Sequence, residues 1–296
     1  MAQALRIGVV SDGKAGHMNQ SLGLAEALRR LRPETQIHEL PALSRWAALR
    51  ILIGGSADAP TLDLLVGAGH GTHLTLLALG YACACPTVVI MRPSLPRQLF
   101  DLCITPRHDG LPEDERRWLS DGPMNRLLPG PKGEEGLILI GGPSPHFAWD
   151  EEAVLAQLRH ICAEGRWQLS TSRRTPPSFL AALRGQQQAN LVIHDVADLP
   201  PGWLGASLAQ APRCWVTPDS ASMVYEALTA GCGVGLLELA PQAGSRVAGA
   251  MADLGDRGLV RTFGDWVAGD GLVAVEPRLA EADRLARRLL DSRWLA

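Results

Sequence analysis

The spacing of apolar positions along the chain predicts an α/β fold. Short apolar runs that end in small or polar loops are typical of buried strands, and the segments that follow place apolar residues at helical spacing. In the first half, the pattern predicts strands over residues 5–10, 36–40, 62–66, 87–91 and 101–105, and helices over residues 19–31 and 70–81. This alternation of strand and helix favours a parallel sheet.

The alternation restarts after residues 128–134, a stretch rich in proline and glycine that we interpret as an interdomain linker. Beyond it the pattern predicts strands over residues 137–140, 167–171, 191–194, 214–217 and 234–237, and helices over residues 151–164, 177–184, 221–230, 245–254 and 279–290. We therefore expect two Rossmann-like parallel-sheet domains facing a cleft, residues 1–128 and 129–278. The C-terminal segment, residues 279–296, is expected to pack back onto the first domain.

Six loops lie where predicted strands end. Loops at the carboxyl ends of parallel strands form the ligand sites of open α/β sheets, and the helices after them offer free N–H groups to anions. Arginines, hydroxyls and glycines in these loops predict a phosphate-bearing ligand. The loops are residues 11–17, 67–70, 105–109, 141–144, 171–175 and 217–220.

Composition and charge narrow the class of function. The net charge of −3 argues against binding nucleic acid through bulk charge. The six cysteines form no C-x-x-C pair and most lie in apolar runs, which predicts buried, reduced thiols of a cytoplasmic protein. The start of the chain lacks the pattern of a signal peptide, and no apolar run is long enough to predict a membrane-spanning helix.

The second predicted domain carries groups suited to a diphosphate. Two arginines follow one strand, and a helix start follows another, where Asp219 or Ser220 is placed to cap the helix. Solvated arginines, a plain strand–helix turn and a surface carboxylate are the alternatives. The candidate substrate-binding residues here are Gly142, Ser144, Ser172, Arg173, Arg174, Ser220, Ser222, Met223 and Glu226.

The first predicted domain carries candidate bases. His17, Asp12 and Asp109 are the candidate catalytic residues, because each lies in a loop where it could take a proton from an acceptor. His70 and His73 have a spacing that suits one metal ion, but no third ligand is evident, so no metal site is predicted. The candidate substrate-binding residues here are Gly13, Lys14, Gly16, Asn19, Arg107 and His108.

Residues 43–53 form an apolar segment in which Arg45 and Arg50 are interspersed. Such a segment can rest on a membrane surface with Trp46 at the interface. An ordinary buried helix is the alternative.

Several motifs in one order resemble a known family. They are S-D-G-K-A-G-H-x-N-Q, P-R-H-D-G, G-G-P-S, T-S-R-R-T-P and T-x-D-S-x-S-M-x-x-E-A. The combination resembles the elongated-mitochondria (mitochondrial fission) family. That resemblance implies a GT-B-like fold, similar to the enzymes that make lipid II and the lipid A disaccharide. It implies that residues 220–222 meet the diphosphate of a nucleotide-sugar, that Glu226 binds ribose, and that residues 13–17 face the acceptor. This loop lacks the glycine-dense form of the lipid II enzyme.

Taken together, these features predict a metal-independent glycosyltransferase that needs no cofactor. It would move a sugar from a nucleoside-diphosphate sugar to a hydroxyl of a cell-envelope glycan or glycolipid, in the cytoplasm or on the inner face of the cytoplasmic membrane. The alternative is a non-catalytic adaptor, since the plant branch of the family recruits a dynamin-like protein. An epimerase would need a Tyr-x-x-x-Lys pair, and neither Tyr81 nor Tyr225 has a lysine four residues on.

Overall fold

The structure is a computed structural model that describes residues 4–269 and 271–295. Residues 1–3 and 296, which belong to the expected first domain and C-terminal segment, lie outside the described residues, as does residue 270. The chain divides into two compact units. Unit 1 takes the chain up to Arg126 together with the chain from Ala280 onward, and unit 2 is Leu127–Leu279.

Unit 1 is built on a parallel six-stranded sheet. Its strands are β1 (Arg6–Ser11), β2 (Gln36–Pro41), β3 (Leu64–Ala68), β4 (Thr87–Ile90), β5 (Leu102–Pro106) and β6 (Arg117–Ser120), in the order β2-β1-β3-β4-β5-β6. Its first helices are α1 (Ala15–Leu31), α2 (Arg45–Leu52) and α3 (His73–Cys83). Strand β3 is buried along its whole length, because helices cover both faces of the sheet.

Unit 2 repeats this architecture. Its strands are β7 (Gly136–Leu139), β8 (Trp167–Ser170), β9 (Leu191–His194), β10 (Arg213–Val216), β11 (Gly233–Leu236) and β12 (Arg261–Thr262), in the order β12-β11-β10-β7-β8-β9. Its helices are α4 (Glu151–Ile161), α5 (Pro177–Gly185), α6 (Trp203–Gln210), α7 (Ala221–Thr229), α8 (Arg246–Asp256) and α9 (Phe263–Val267). All strand pairs in both sheets are parallel, which confirms the predicted fold class.

The chain returns to unit 1 in helix α10 (Glu281–Leu290), which packs against α1. Leu285 and Leu289 are buried in the unit 1 core. The Glu281 carboxylate accepts a hydrogen bond from the Asp121 N–H at 2.7 Å and pairs with Arg284 at 2.6 Å. The final helix is therefore an integral part of unit 1.

Strand order reverses once in each sheet. In unit 1 the reversal lies between β1 and β3, and in unit 2 between β7 and β10. Loops leaving the carboxyl ends of strands at such a reversal diverge to opposite faces of the sheet, which opens a crevice where ligands of this fold class bind. The topology thus selects two pairs of loops, one pair in each unit.

Several predicted boundaries were wrong. Helix α1 starts at Ala15 rather than residue 19, so His17 lies in its first turn, and residues 70–72 form a 3₁₀ turn before α3. The presumed linker, residues 128–134, is packed onto unit 2: the Gly130 and Gly133 N–H groups donate to carbonyls of Ala209 and Gln210 at 3.1 and 2.8 Å. Strands β6 and β12 and helices α6 and α9 were not predicted, because their apolar patterns are short.

No helix within the described residues is both long enough and apolar enough to span a bilayer.

Candidate functional site

In unit 2, the loops on both sides of the strand-order reversal are joined by hydrogen bonds. After β7, the Gly141 N–H donates to the Thr217 hydroxyl at 2.7 Å, and the Gly142 N–H donates to the Asp219 carboxylate at 3.2 Å. A Cβ on Gly142 would lie 2.2 Å from the Arg174 carbonyl oxygen, so only glycine fits this close approach. These hydrogen bonds therefore hold the loops after β7 and β10 together.

The loop after β8 is attached to the same assembly. The Ser172 and Thr175 hydroxyls donate to the Gly141 carbonyl at 2.7 and 2.6 Å. The Arg174 guanidinium lies 2.6 Å from Asp219 Oδ2. Three loops, from three neighbouring strands, thus form one rigid cradle at the carboxyl edge of the sheet.

Asp219 is the centre of this cradle. Its carboxylate is fully buried and bonds Arg174 through Oδ2, while Oδ1 has no hydrogen-bond partner within the described part of the chain. Asp219 does not cap α7 as predicted. Ser220 occupies the N-cap position, and it makes no side-chain cap bond either. The carboxylate instead pairs with Arg174, which supplies the opposite charge that a buried carboxylate needs.

The start of α7 is left with free backbone N–H groups, since no side chain caps it. Ser222 is exposed in the first turn, Met223 is half-buried, and Glu226 is half-buried and already has a bonding partner. Arg173 is exposed, and no ion pair to it is found among residues 4–269 and 271–295. The positive end of a helix dipole and an exposed guanidinium both attract anions.

The two arginines predicted to act together thus differ. Arg174 is committed to Asp219 and also donates to the Gly142 and Pro143 carbonyls at 3.1 and 3.3 Å. Arg173, in contrast, is exposed and has no ion pair within the described residues. Ser144 is likewise committed to the protein.

Ser144 shapes the loop after β7. Its hydroxyl accepts hydrogen bonds from the N–H groups of His146 and Phe147 at 3.2 and 3.4 Å. These short-range bonds fold the loop on itself.

In unit 1, Asp12 and His17 form a pair at the strand-order reversal. His17 Nδ1 lies 2.9 Å from Asp12 Oδ2, and the side chains are 19% and 8% exposed. Burial acts to raise the pKa of Asp12, but the hydrogen bonds from His17 and the Lys14 N–H hold it below its usual value. An ionised Asp12 accepts the Nδ1 proton, so that Nε2 of a neutral His17 keeps its lone pair. This is the arrangement of an oriented general base.

Two glycines of the loop after β3 make room for that pair. A Cβ on Gly69 would lie 2.3 Å from the His17 ring, and Gly69 has φ +81°, where side chains are strained. A Cβ on Gly71 would lie 2.8 Å from Asp12 Cβ. The loops after β1 and β3 therefore contact each other at the Asp12–His17 pair.

The other predicted residues of the first loop lie close to Asp12 and His17 in sequence. The Gly13 N–H donates to the Ser11 hydroxyl at 3.2 Å, and Gly13 has φ +82°. The Lys14 side chain is exposed. Gly16 and Asn19 lie on α1, one on either side of His17 in sequence, and Asn19 has a bonding partner.

The predicted residues after β5 lie apart from this pair. Arg107, His108 and Asp109 form a 3₁₀ turn, and β5 is separated from β1 by β3 and β4, or roughly 14 Å at the usual strand spacing. Arg107 Nε donates to Asp121 at 2.5 Å, and Asp109 also has a bonding partner.

A cavity of about 590 Å³ in unit 2 is lined by Gly136, Arg166 and Trp203 and lies where β7 and β8 begin, opposite the edge that binds ligands in this fold class. Across the described residues, no group of three His, Cys, Asp or Glu side chains is placed to hold a metal ion. His73 is buried with its Nδ1 3.2 Å from the Ser94 hydroxyl, whereas His70 is exposed.

Sequence reasoning did not assign Gly69, Gly71, Thr175, Thr217 or the pairing role of Asp219. The available signal was their position in loops after strands. Which loops are neighbours depends on strand order, and the sequence pattern does not reveal strand order.

Solved structures share this architecture. MurG from Acinetobacter baumannii aligns with a TM-score of 0.54 at 15% identity, covering 97% of this chain and 100% of MurG. The glycosyltransferase SnogD from Streptomyces nogalater aligns with a TM-score of 0.50 at 16% identity, covering 98% of this chain and 96% of SnogD. A Listeria monocytogenes protein assigned as a UDP-N-acetylglucosamine 2-epimerase aligns at 0.51 and 12% identity, covering 98% and 89%. These likenesses show the GT-B fold alone.

No curated protein sequence matches the chain. The profile of the family described as mitochondrial fission ELM1, in contrast, matches residues 15–293. This match covers most of the chain and agrees with the resemblance that the motifs indicated. The protein belongs to the mitochondrial fission ELM1 family.

Proposed function

We propose that the protein is a metal-independent glycosyltransferase that uses a nucleoside-diphosphate sugar. The observation that supports it most is the cradle of unit 2, where three loops locked together by Asp219 adjoin the uncapped start of α7 and the exposed Arg173. A site with this chemistry suits a doubly charged diphosphate.

In this proposal, unit 2 binds the donor. The α7 N–H groups and Arg173 stabilise the negative charge that builds on the diphosphate as the sugar departs, an electrostatic role that requires groups fixed in advance. Arg174 and Asp219 keep the cradle in shape. Ser222, Met223 and Glu226 contact the nucleotide part of the donor.

Unit 1 supplies the base. Asp12 holds His17 in the tautomer whose Nε2 takes the proton from the acceptor hydroxyl. Asp109 belongs to a separate turn with Arg107 and His108, which we assign to acceptor contacts.

The acceptor in this proposal is a cell-envelope glycan or glycolipid, and the protein acts in the cytoplasm at the inner face of the cytoplasmic membrane. Neither a metal ion nor a cofactor takes part, since guanidinium and helix dipole neutralise the leaving group.

The test is binding of UDP-, GDP-, ADP- and CMP-linked sugars, first by thermal shift and then by calorimetry. We expect one donor class to bind, and Arg173→Ala to weaken it about 10- to 100-fold, since a hydrogen bond to a charged group contributes about 1.5–3 kcal/mol. Arg184→Ala, an exposed arginine of α5, is the matched control and should bind normally.

Unchanged affinity in both Arg173→Ala and Glu226→Ala would contradict the proposal. Donor binding without turnover, together with a stable protein partner, would favour the adaptor alternative. Chromatography of the products distinguishes sugar transfer from epimerisation. The fold does not distinguish these activities, because both kinds of enzyme share it.

A further inference from the structure

Helix α2 is apolar on two opposite sides. Ala48 and Ile51 are buried in the core of unit 1. Trp46, Leu49 and Ile53 follow the i, i+3, i+7 spacing of a single helix face and are 81%, 48% and 76% exposed. A surface helix of a globular protein usually turns a polar face to solvent. The outer face of α2 is therefore available to an apolar environment.

Helix α3 continues this surface. The Leu43 N–H, just before α2, donates to the Thr75 hydroxyl of α3 at 2.8 Å, and both helices cover the same core. Tyr81 near the end of α3 is 69% exposed. We call the exposed side chains Trp46, Leu49, Ile53 and Tyr81 the outer α2–α3 face.

The α2 part of this face is flanked by arginines. Arg45 and Arg50 are exposed on α2, and neither has an ion pair within the described residues. Asp58 and Asp63 are the only acidic residues from position 42 to position 100, and Asp63 is paired with Arg6 at 2.8 Å. The face thus combines two aromatic residues, aliphatic side chains and unpaired arginines, and its two helices carry no carboxylate.

We infer that the outer α2–α3 face docks on the surface of an anionic phospholipid bilayer. Apolar side chains enter the boundary between headgroups and acyl chains, and Trp and Tyr prefer that depth. Arg45 and Arg50 lie alongside, where they attract anionic headgroups. A protein partner for this face would not require two helices free of carboxylates. The inference rests on the proposed function in one respect, that a lipid-linked acceptor places the enzyme at a membrane.

The experiment is co-sedimentation of the full chain with vesicles of phosphatidylcholine alone or mixed with phosphatidylglycerol. We expect binding to the anionic vesicles that weakens with salt. Arg45→Glu with Arg50→Glu should weaken it roughly 30-fold or more, since each arginine near the surface contributes roughly fivefold. Trp46→Ser with Ile53→Ser should weaken it at least about tenfold, because both side chains leave the interface.

Two matched controls lie in unit 2. Arg159→Glu with Arg184→Glu makes the same change in net charge at exposed positions of α4 and α5, and Val192→Ser with Val273→Ser removes exposed apolar side chains that are 57% and 77% accessible. Both should bind vesicles like the unchanged protein. Sedimentation velocity without vesicles shows whether the face instead pairs two copies.

Absence of binding to anionic vesicles, equal loss in the controls, or a dimer that Trp46→Ser dissociates would each overturn the inference. The titration with nucleotide-sugar donors tests the proposed function independently of the docking inference. Vesicle binding without donor binding contradicts only the transferase, and donor binding without vesicle binding contradicts only the docking surface.

Discussion

Two buried aspartates organise the loops at the strand-order reversals. Asp12 orients His17 in unit 1, and Asp219 holds Arg174 and the Gly142 N–H in unit 2. The sequence indicated Asp12 because it lies in a loop with a histidine five residues on. It indicated Asp219 only as a helix cap, because the residue that it bonds lies on another loop. Long-range pairs of this kind depend on strand order.

At the scale of the residue, Asp12→Asn should make stability less dependent on pH. The pKa of Asp12 is held below its usual value of about 3.9 by His17 and Lys14, so its contribution is present above that value and is lost as pH falls through the lower, folded pKa. We expect the variant to be about 1–2 kcal/mol less stable than the unchanged protein at pH 7. The gap should begin to narrow below about pH 4 and close only below the lowered pKa of the folded state.

Urea unfolding of both proteins at pH 7, 5 and 3.5 measures this gap. Asp58→Asn, at an exposed position, is the control and should behave like the unchanged protein at every pH. A gap that stays constant down to pH 3.5 would show that Asp12 is not held in its ionised form.

At the scale of the element, most strands were predictable, whereas β6, β12 and some helices were not. Strands such as β3 and β4 are short runs of apolar residues, because a parallel sheet is buried on both faces. Helix α6 escaped prediction because it is short and follows a proline-rich stretch, and only Leu208 in it is fully buried. Its position depends on tertiary contacts, among them one from the presumed linker.

Lys132 makes that contact. Its ammonium group donates to the Leu208 carbonyl at 3.3 Å, in the last turn of α6, and to the Ala230 carbonyl at 2.7 Å, at the end of α7. The carboxyl ends of helices carry partial negative charge and unpaired carbonyls, so a single cation stabilises both. Burial lowers the pKa of Lys132, which is the cost of placing it there.

Lys132→Met should therefore lower the melting temperature of unit 2 by roughly 3–6 °C, as expected for a loss of about 1.5 kcal/mol in a unit of this size. Differential scanning calorimetry provides the measurement. Lys14→Met is a well-matched control, because Lys14 is the chain's other lysine and its side chain is exposed. A similar shift in both variants would mean that the two carbonyls do not depend on Lys132.

At the scale of the whole molecule, the structure confirms the prediction that most cysteines are buried and form no disulfide. All six cysteines are free, and five are buried while Cys83 is half-buried. Burial raises the pKa of Cys85 and Cys162 to about 12 and that of Cys103 and Cys232 to about 11. Both units thus keep their thiols protonated and shielded.

We expect a disulfide reagent at pH 8 to label Cys83 alone in the native protein, and slowly, because burial also raises its pKa. All six thiols should react in guanidinium chloride. Cys83→Ser should abolish the native reaction. Rapid labelling of a second thiol would show that one of the cores opens more readily than its packing indicates.

The place of α10 has a consequence for biosynthesis. Unit 1 is interrupted by the whole of unit 2, so the part of α1 that packs against Leu285 and Leu289 is covered only by a helix translated after unit 2. While the nascent chain grows, unit 2 can therefore fold before unit 1 is complete. Until α10 has been made, the chain exposes apolar surface of α1, and such transiently exposed surface is prone to aggregation.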